Sequence, residues 1–477
     1  MTALWTRDAA VEATQGQAHG PDWSASGVTI DSRKIAAGDL FVALPGERVD
    51  GHDYVAAALQ AGAAAALVSR VPEGLEDAPL LVVTDVLEGL EDLARAARAR
   101  SQARIVAVTG SVGKTGTKEM LAACLAVHGR TVASVGNLNN HIGAPLSLAR
   151  LPRDCDFAVF ELGMNHADEI RPLTRLVAPH ATVITNVEPV HIEFFDGIDG
   201  IADAKAEILE GLEPGGIAVL NADNASFERI RARARTLGVD RIATFGQGAT
   251  CDVRGLAIEP GTDGTRVTAT VAGVEMHWTV GGIGQHWGFN SLGVVAVLHA
   301  LKLDIAPCLE RLATVSAMRG RGGQIALATA DGGSALLIDE SYNASPPAVR
   351  AALSVFGGTR AARRILVLGD MRELGETAPT AHAGLKDAVE ATQPDAIYLC
   401  GDAMAHLRDA LGPDRVTLWT PTAGALADAV ADNVKDGDVV LIKGSLAMGM
   451  KAIVTALEAA GKDETGTPAS RIRAGGR

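Results

Sequence analysis

The chain is 477 residues long, and its 47 % hydrophobic and 21 % charged residues make a globular composition that excludes wholesale disorder. A net charge of −14 excludes bulk attraction to long nucleic acid. An anionic small ligand would need local devices, such as backbone N–H groups and a few placed cations. At about 150 residues per domain, the length predicts three domains, each large enough to build its own core.

The five cysteines are scattered, with no CxxC and no Cys/His ligand spacing. That pattern argues against a disulfide scaffold or a zinc site and fits a reducing compartment. The opening MTALWTRDAAVEA has no basic stretch followed by an apolar run. The most apolar segment, 55–67, is interrupted by Gln60 and Gly62 and falls short of the roughly 18 residues a membrane span needs. The expectation is a cytoplasmic protein without a membrane span, and a monomer.

Taken in chain order, short apolar runs ending in Gly or Asp alternate with Ala/Leu-rich helical stretches. DLFVALPG (39–46) comes first, and LARAARARSQAR (93–104) reads as a helix end and polar connector. RIVAVTG (104–110), FAVFELG (157–163), ATVITNV (181–187) and GIAVLNAD (216–223) follow. Residues 248–280 alternate polar and apolar between turn residues, which predicts small antiparallel strands. SAMRGRGGQ (316–324) is a Gly/Arg link, and beyond it lie ALLIDES (335–341), RRILVLGD (363–370), AIYLCGD (396–402) and DVVLIKGS (438–445). Unalternated β-branched runs predict strands buried on both faces, hence parallel sheets covered by helices. The fold class is therefore α/β. Seams near 100 and 318 divide it into 1–100, a central P-loop parallel-sheet domain over 101–317 with a small antiparallel segment, and a C-terminal Rossmann-like domain over 318–460. The polar tail 461–477 is expected to be mobile. In such sheets ligands gather beyond the carboxyl ends of strands, so the polar residues there are the first candidates.

The strongest local signal is VAVTGSVGKTGTKEM (106–120), a strand running into Gly110, Ser111, Val112, Gly113, Lys114 and Thr115, then a helix. Converging N–H groups and the helix N-terminus suit phosphate. Lys114 supplies a mobile cation, and the Thr115 hydroxyl can reach Mg²⁺. Val108 stands where the strict Walker pattern has Gly, so the match is to a variant loop. The bland alternative is a glycine-rich turn before a helix. Glu161 and His191 end or follow two further strands. With Thr115 they make either one metal site or three unrelated polar groups, and spacing alone leaves both open. A nucleotide loop alone also fits a switch or motor ATPase, or a non-catalytic nucleotide scaffold.

TGSVGKTGTKEM, GNLNNHIGAPLSL (136–148), ELGMNH (161–166), NVEPVH (186–191) and AKAEIL (204–209) together resemble the Mur ligase family. The resemblance extends to DSRKIAAGDLFVALPGERVDGHDYVAAALQAGAAAALV (31–68) in the first third, and to IDESYNASP (338–346), LGDMRELG (368–375) and LIKGS (441–445) in the last. It implies an ATP-dependent, ADP-forming amide ligase of the cytoplasmic stage of peptidoglycan assembly, with ATP and Mg²⁺ bound. SYNASP, GDMRELG and GNLNNHIGAP point within the family to a UDP-N-acetylmuramoyl-tripeptide and D-alanyl-D-alanine as substrates. Other ligases of the superfamily, such as a tripeptide synthetase or a folylpolyglutamate-synthase-like enzyme, are the alternatives.

The resemblance also assigns residues. Lys114 and Thr115 would hold the β/γ-phosphates and, with Glu161, a first Mg²⁺, while His191 would reach a second metal. Lys205 matches a family position where lysine is carbamylated, giving a carboxylate-like metal ligand; a plain lysine or salt bridge is the alternative. Asn290 would contact adenine, although Trp287, Gly288, Phe289 and Ser291 depart from the family's usual G-x-H-N-x-x-N-A. Arg321, in the Gly-flanked link, would reach the γ-phosphate on domain closure, or else be a solvated linker charge. Asp339, Tyr342, Asn343 and Asp370 would surround the ribose and the incoming amine, and Lys443 and Ser445 would take the dipeptide carboxylate. Ser32, Arg33, Gly46, Asp50 and His52 would face the UDP-sugar, with a structural role for Arg33 equally open. Asn137, Asn139, Asn140, Asn165 and His166 would line the muramoyl-peptide cleft. His141 stands where family members often have Asp, and the residues offer no account of it.

Overall fold

The computed structural model describes residues 3–46, 49–329 and 332–460; the predicted tail 461–477 lies outside them. Three sheets carry the fold. The first orders Gln17–His19, Leu80–Val82, Ala65–Val68, Asp39–Val42 and Gly27–Thr29, parallel except at the Gln17–His19 edge. The second has nine strands, and its parallel part runs Arg241–Gly246, Ile217–Asn221, Ala181–Ile184, Arg104–Thr109, Phe157–Glu161, Thr131–Ala133. The third orders Gly323–Ala328, Ser334–Glu340, Asp438–Lys443, Arg363–Gly369, Ala396–Cys400 and Leu418–Thr420, with only the first strand antiparallel.

The apolar runs behave as their composition demands. Every residue of Phe157–Glu161, Ala181–Ile184, Ile217–Asn221, Ala396–Cys400 and Asp438–Lys443 is buried. The central and third sheets each have a hydrophobic cluster on both faces. Each fully buried Val, Leu or Ile contributes about 1.5–3 kcal/mol of transfer free energy. The antiparallel strands predicted over 248–280 form as Val253–Pro260, Thr265–Val271 and Val274–Val280. They extend the central sheet beyond Arg241–Gly246 rather than standing apart.

The connector expected at 93–104 is mostly helix. Val86–Arg100 starts on Asp85, whose carboxylate accepts from the N–H groups of Leu87 and Glu88. Its last turn is fastened to the central domain, because Arg98 donates to the carbonyls of Val177 and Ala178 and to Glu213. Trp5 Nε1 donates to Ala149 O (2.9 Å), and Arg150 Nε to Val28 O (2.6 Å), adding two more ties between the first and central domains. All five cysteines are free thiols.

The helix Gln285–Ala300 explains two departures from the family segment. The Trp287 indole lies over Gly116 of the phosphate-loop helix and against Gly282, where an added Cβ would come within 2.0 Å of the ring. Ser291 Oγ accepts from Trp278 Nε1 (2.8 Å) and donates to Gly288 O (2.6 Å), joining the antiparallel edge to the helix. Trp287→Ala should therefore lower central-domain stability by about 3–5 kcal/mol. Calorimetric unfolding of the full chain checks this, and a midpoint equal to wild type would remove the packing role.

Candidate active site

The site is built on the carboxyl edge of the central sheet. Arg104–Thr109 runs into the loop 110–113, and the helix Lys114–Leu125 begins on Gly113. Gly110 and Gly113 have φ of 148° and 84°. A Cβ at Gly110 would lie 1.9 Å from Thr185 Oγ1, and one at Gly113 would lie 2.6 Å from Asn290 Nδ2. Only glycine fits both the backbone and the space. The loop is braced by the segment after the next strand. Ser111 N donates to Asn186 O, Thr185 Oγ1 to Val112 O, and Ser111 Oγ donates to Glu188 O while accepting from Glu188 N. The backbone is thus preformed for an anion, with Asn290 placed against Gly113.

Of the two readings left open, Thr115 and Glu161 do meet: Thr115 Oγ1 donates to Glu161 Oε2 at 2.8 Å. The other carboxylate oxygen accepts from Asn139 Nδ2 at 2.8 Å, and Glu161 N–H donates to Ser134 Oγ at 3.1 Å. Glu161 is only 1 % exposed. These two bonds, to Asn139 and Ser134, were not predicted. The Asn-rich loop was a readable signal, but its partner was not.

Cations outnumber anions around this carboxylate. Lys114 Nζ folds onto its own loop, donating to Gly110 O (2.6 Å) and Ser111 O (3.4 Å). Loss of hydration lowers its pKa, nearby Glu161 opposes the shift, and Arg321 of the third domain adds to it. Arg321 stacks on the Tyr342 ring, 4.2 Å from its centroid. Lys205 is 2 % exposed with no hydrogen bond or ion pair among the described residues. Burial first, then the charge of Lys114, pulls its pKa well below the ordinary lysine value. Lys114 thus has Glu161, Arg321 and Lys205 among its charged neighbours.

His191 takes a different neighbour. Its Nδ1 bonds Glu373 Oε2 of the third domain, and this bond pulls the Glu373 pKa down. His191 and Glu373 have φ of 61° and 62°, left-handed backbone that non-glycine residues rarely adopt. Among the described residues no group of three or more His, Cys, Asp or Glu side chains forms a metal cage. The donors at hand are one hydroxyl and one carboxylate. That set fits Mg²⁺, which keeps several waters and completes its shell with phosphate oxygens.

The other candidates are spread over all three domains. Asn343 Oδ1 accepts from Ala344 N, and its carbonyl accepts from Lys443 Nζ (3.0 Å). Lys443, 2 % exposed, also donates to Glu340 (2.9 Å), and Ser445 Oγ accepts from Arg372 N (2.9 Å), so both are committed inside the third domain. Asp339 accepts from Gly320 and Ser341 N–H groups, and Asp370 accepts from Met404 N. His52 is buried, donating to Asp50 and accepting from Ser69 N, which makes it an internal link of the first domain. Arg33 is exposed and paired with Asp31, whose pKa it holds at about 2. Ser32 opens that same short helical turn. Asn137 O accepts from Asn139 N, and Asn140 Oδ1 accepts from Ile142 N and Gly143 N. Asn165 N–H donates to Glu169, and the His166 ring packs on Phe194 at 4.4 Å.

The fold and site define a three-domain P-loop protein in which a cationic cleft lies between the central and third sheets. Three family descriptions match in order: "Mur ligase family, catalytic domain" over 24–100, "Mur ligase middle domain" over 108–298, and "Mur ligase, glutamate ligase domain" over 327–446. The chain is 34 % identical over 449 residues to the UDP-N-acetylmuramoyl-tripeptide–D-alanyl-D-alanine ligase of Escherichia coli, spanning 93 % of this chain and 96 % of that one. It is 32 % identical to the ligase of the same name from Bacillus subtilis, over 90 % of this chain and 92 % of that one. Among solved structures it resembles MurF from Acinetobacter baumannii (TM-score 0.82, 29 % identity, 95 % and 99 % coverage). It also resembles the MurF ligase from Thermotoga maritima in complex with ADP (TM-score 0.74, 25 % identity, 91 % and 97 % coverage). The chain belongs to the Mur ligase family.

Lys205 offers a test of the site's electrostatics. A lysine whose folded pKa lies below its unfolded value sheds a proton on folding, so its penalty grows as pH falls below about 10.4. In CO₂-free buffer, Lys205→Met should unfold at a higher temperature than wild type at about pH 7, the gap closing toward about pH 10. Scanning calorimetry across that range checks it, and an equal or lower midpoint at neutral pH would refute the reading.

Proposed function

We infer that this chain is the ATP-dependent, ADP-forming ligase that joins D-alanyl-D-alanine to UDP-N-acetylmuramoyl-tripeptide, completing the pentapeptide precursor of peptidoglycan. The observation that carries the reading is the braced phosphate loop, with Thr115 and Glu161 bonded beside it and Arg321 facing Lys114 from the next domain. The names of its full-length relatives support the substrates, and the ADP in a related structure supports the nucleotide.

The chemistry explains the residues. A carboxylate is a poor electrophile because its oxygen leaves badly. Moving the γ-phosphoryl group onto the tripeptide carboxylate gives an acyl phosphate. The dipeptide amine then attacks, the C–O bond to phosphate breaks, and the amide forms with loss of a proton. Triphosphate and carboxylate repel each other, so the site needs preorganised positive charge. The loop N–H groups and Lys114 cradle the β/γ-phosphates, and Arg321 meets the γ-phosphate from the third domain. Asn290 borders the loop on the adenine side, and Asn343, Asp370 and Tyr342 lie toward the ribose and incoming amine. Thr115 and Glu161 would hold Mg²⁺, with His191 Nε2 reaching a second ion while Nδ1 keeps Glu373; the metal would neutralise phosphate charge. Burial that lowers the Lys205 pKa favours the unprotonated amine, the form that would add CO₂ with loss of a proton to give a carbamate able to join that set. Residues 1–100 bind the UDP-sugar, with Ser32 and Arg33 at the contact. The Asn137–Asn140 loop and Asn165 line the peptide cleft, and residues 318–460 receive the dipeptide near Lys443 and Ser445.

No helix among the described residues is long and apolar enough to cross a membrane. We propose that the enzyme acts in the cytoplasm as a monomer.

Incubation with ATP, Mg²⁺, the UDP-tripeptide and D-alanyl-D-alanine should give the pentapeptide by mass, with ADP formed only when both acceptors are present. ADP release without either acceptor would instead indicate an ATPase. Lys114→Ala should cut product formation at least about a hundredfold in a folded protein. Unchanged turnover would remove the phosphate-loop assignment.

A further inference from the structure

Lys118 lies one turn into the phosphate-loop helix with no exposed surface, in a helix whose Met120, Leu121 and Cys124 belong to the central core. An ammonium there costs several kcal/mol unless it is paired and hydrogen-bonded. Its Nζ donates to Ser134 O at 2.6 Å and lies 2.9 Å from Glu119 Oε1. Glu119 is partly solvated, so it alone does not explain a fully buried cation. Ser134 does. It follows the edge strand Thr131–Ala133, and its N–H continues the pairing by donating to Val159 O (2.9 Å). Its hydroxyl accepts the N–H of Glu161.

The loop helix therefore grips Glu161 twice. Thr115 binds the carboxylate directly. Lys118, three residues on and on the same helical face, fixes Ser134, which fixes the Glu161 main chain. Ser134 also opens the segment leading to Asn139, the second side chain on that carboxylate. We propose that Lys118 is a positioning residue: acting through Ser134, it sets the Glu161 carboxylate at the phosphate loop where Mg²⁺ is to be held. The proposal rests on the metal-binding reading of Thr115 and Glu161 given above, and it adds a group that never touches nucleotide or metal.

The test uses the full chain and titration calorimetry of ADP with and without Mg²⁺, in wild type, Lys118→Met, Ser134→Ala and the double variant. Groups that orient metal ligands typically tune metal affinity about 10- to 100-fold. In each single variant, the Mg²⁺-dependent gain in ADP affinity should fall by about that factor, with metal-free ADP affinity at the wild-type value. The double variant should lose no more than the worse single one, because both cut the same chain of bonds. Amide exchange at Glu161 should also quicken in each. A wild-type Mg²⁺ gain in folded variants, an equal loss with and without metal, or losses that add would each overturn the proposal. If Lys118→Met does not fold, Ser134→Ala decides by the same criteria. Since no amide is formed in this measurement, its outcome is independent of the ligation assay. A wild-type protein with no Mg²⁺ gain would overturn the metal reading and this proposal together, leaving the ligation assay to stand on its own.

Discussion

Three basic side chains gathered about Lys114, with Glu161 beside it, inside a chain of net charge −14, are the constraint around which the site is arranged. Lys114 and Lys205 come from the central domain and Arg321 from the start of the third. Their mutual repulsion is only partly offset by Glu161, and burial removes the water that would screen it. A polyanion between them relieves all three at once. Because two domains supply the charges, the same anion that relieves the repulsion also favours bringing those domains together.

The polar groups find partners within the protein. Lys114 caps carbonyls of its own loop, Lys443 is held by Glu340 and Asn343, and His191 holds Glu373 across the domain boundary. The last pair is informative because both of its backbones are left-handed, a conformation that persists only where surrounding contacts impose it. His191 cannot keep Glu373 and meet a metal through the same nitrogen. With Nδ1 held by Glu373, Nε2 is the nitrogen that would meet a ligand near the phosphates, and this arrangement ties ligand binding to the contact between domains.

The strands that carry the site were legible because burial on both faces demands unbroken apolar runs, and the polar residue at each carboxyl end then marks an edge. Thr115, Glu161, Lys114 and Arg321 follow from that logic together with the family motifs. Short strands did not announce themselves. Thr131–Ala133 and Leu418–Thr420 have three residues each, all half-buried, too little for periodicity to register. The bonds that orient the site were also invisible, since they depend on register between distant segments: Asn139 to Glu161, Ser134 to Glu161, His191 to Glu373. His52 shows the converse error of emphasis. A histidine in a polar motif suggests a ligand contact, yet burial between Asp50 and Ser69 satisfies both its nitrogens.

Trp287 and Ser291 show how a departure from a family pattern can leave the chemistry in place. The altered residues face inward, the indole onto Gly116 and Gly282 and the hydroxyl onto Trp278, while Asn290 keeps its place against Gly113. The helix beside the nucleotide loop is therefore packed through these altered residues against the loop helix and the antiparallel edge. The same division holds in the loop helix itself. Thr115 addresses the ligand side, Lys118 addresses the sheet, and one turn of helix makes the position of each depend on the other. A site of this kind tolerates change in its supporting core as long as the replacement preserves the distance between helix and strand end, because that distance is what Glu161 depends on.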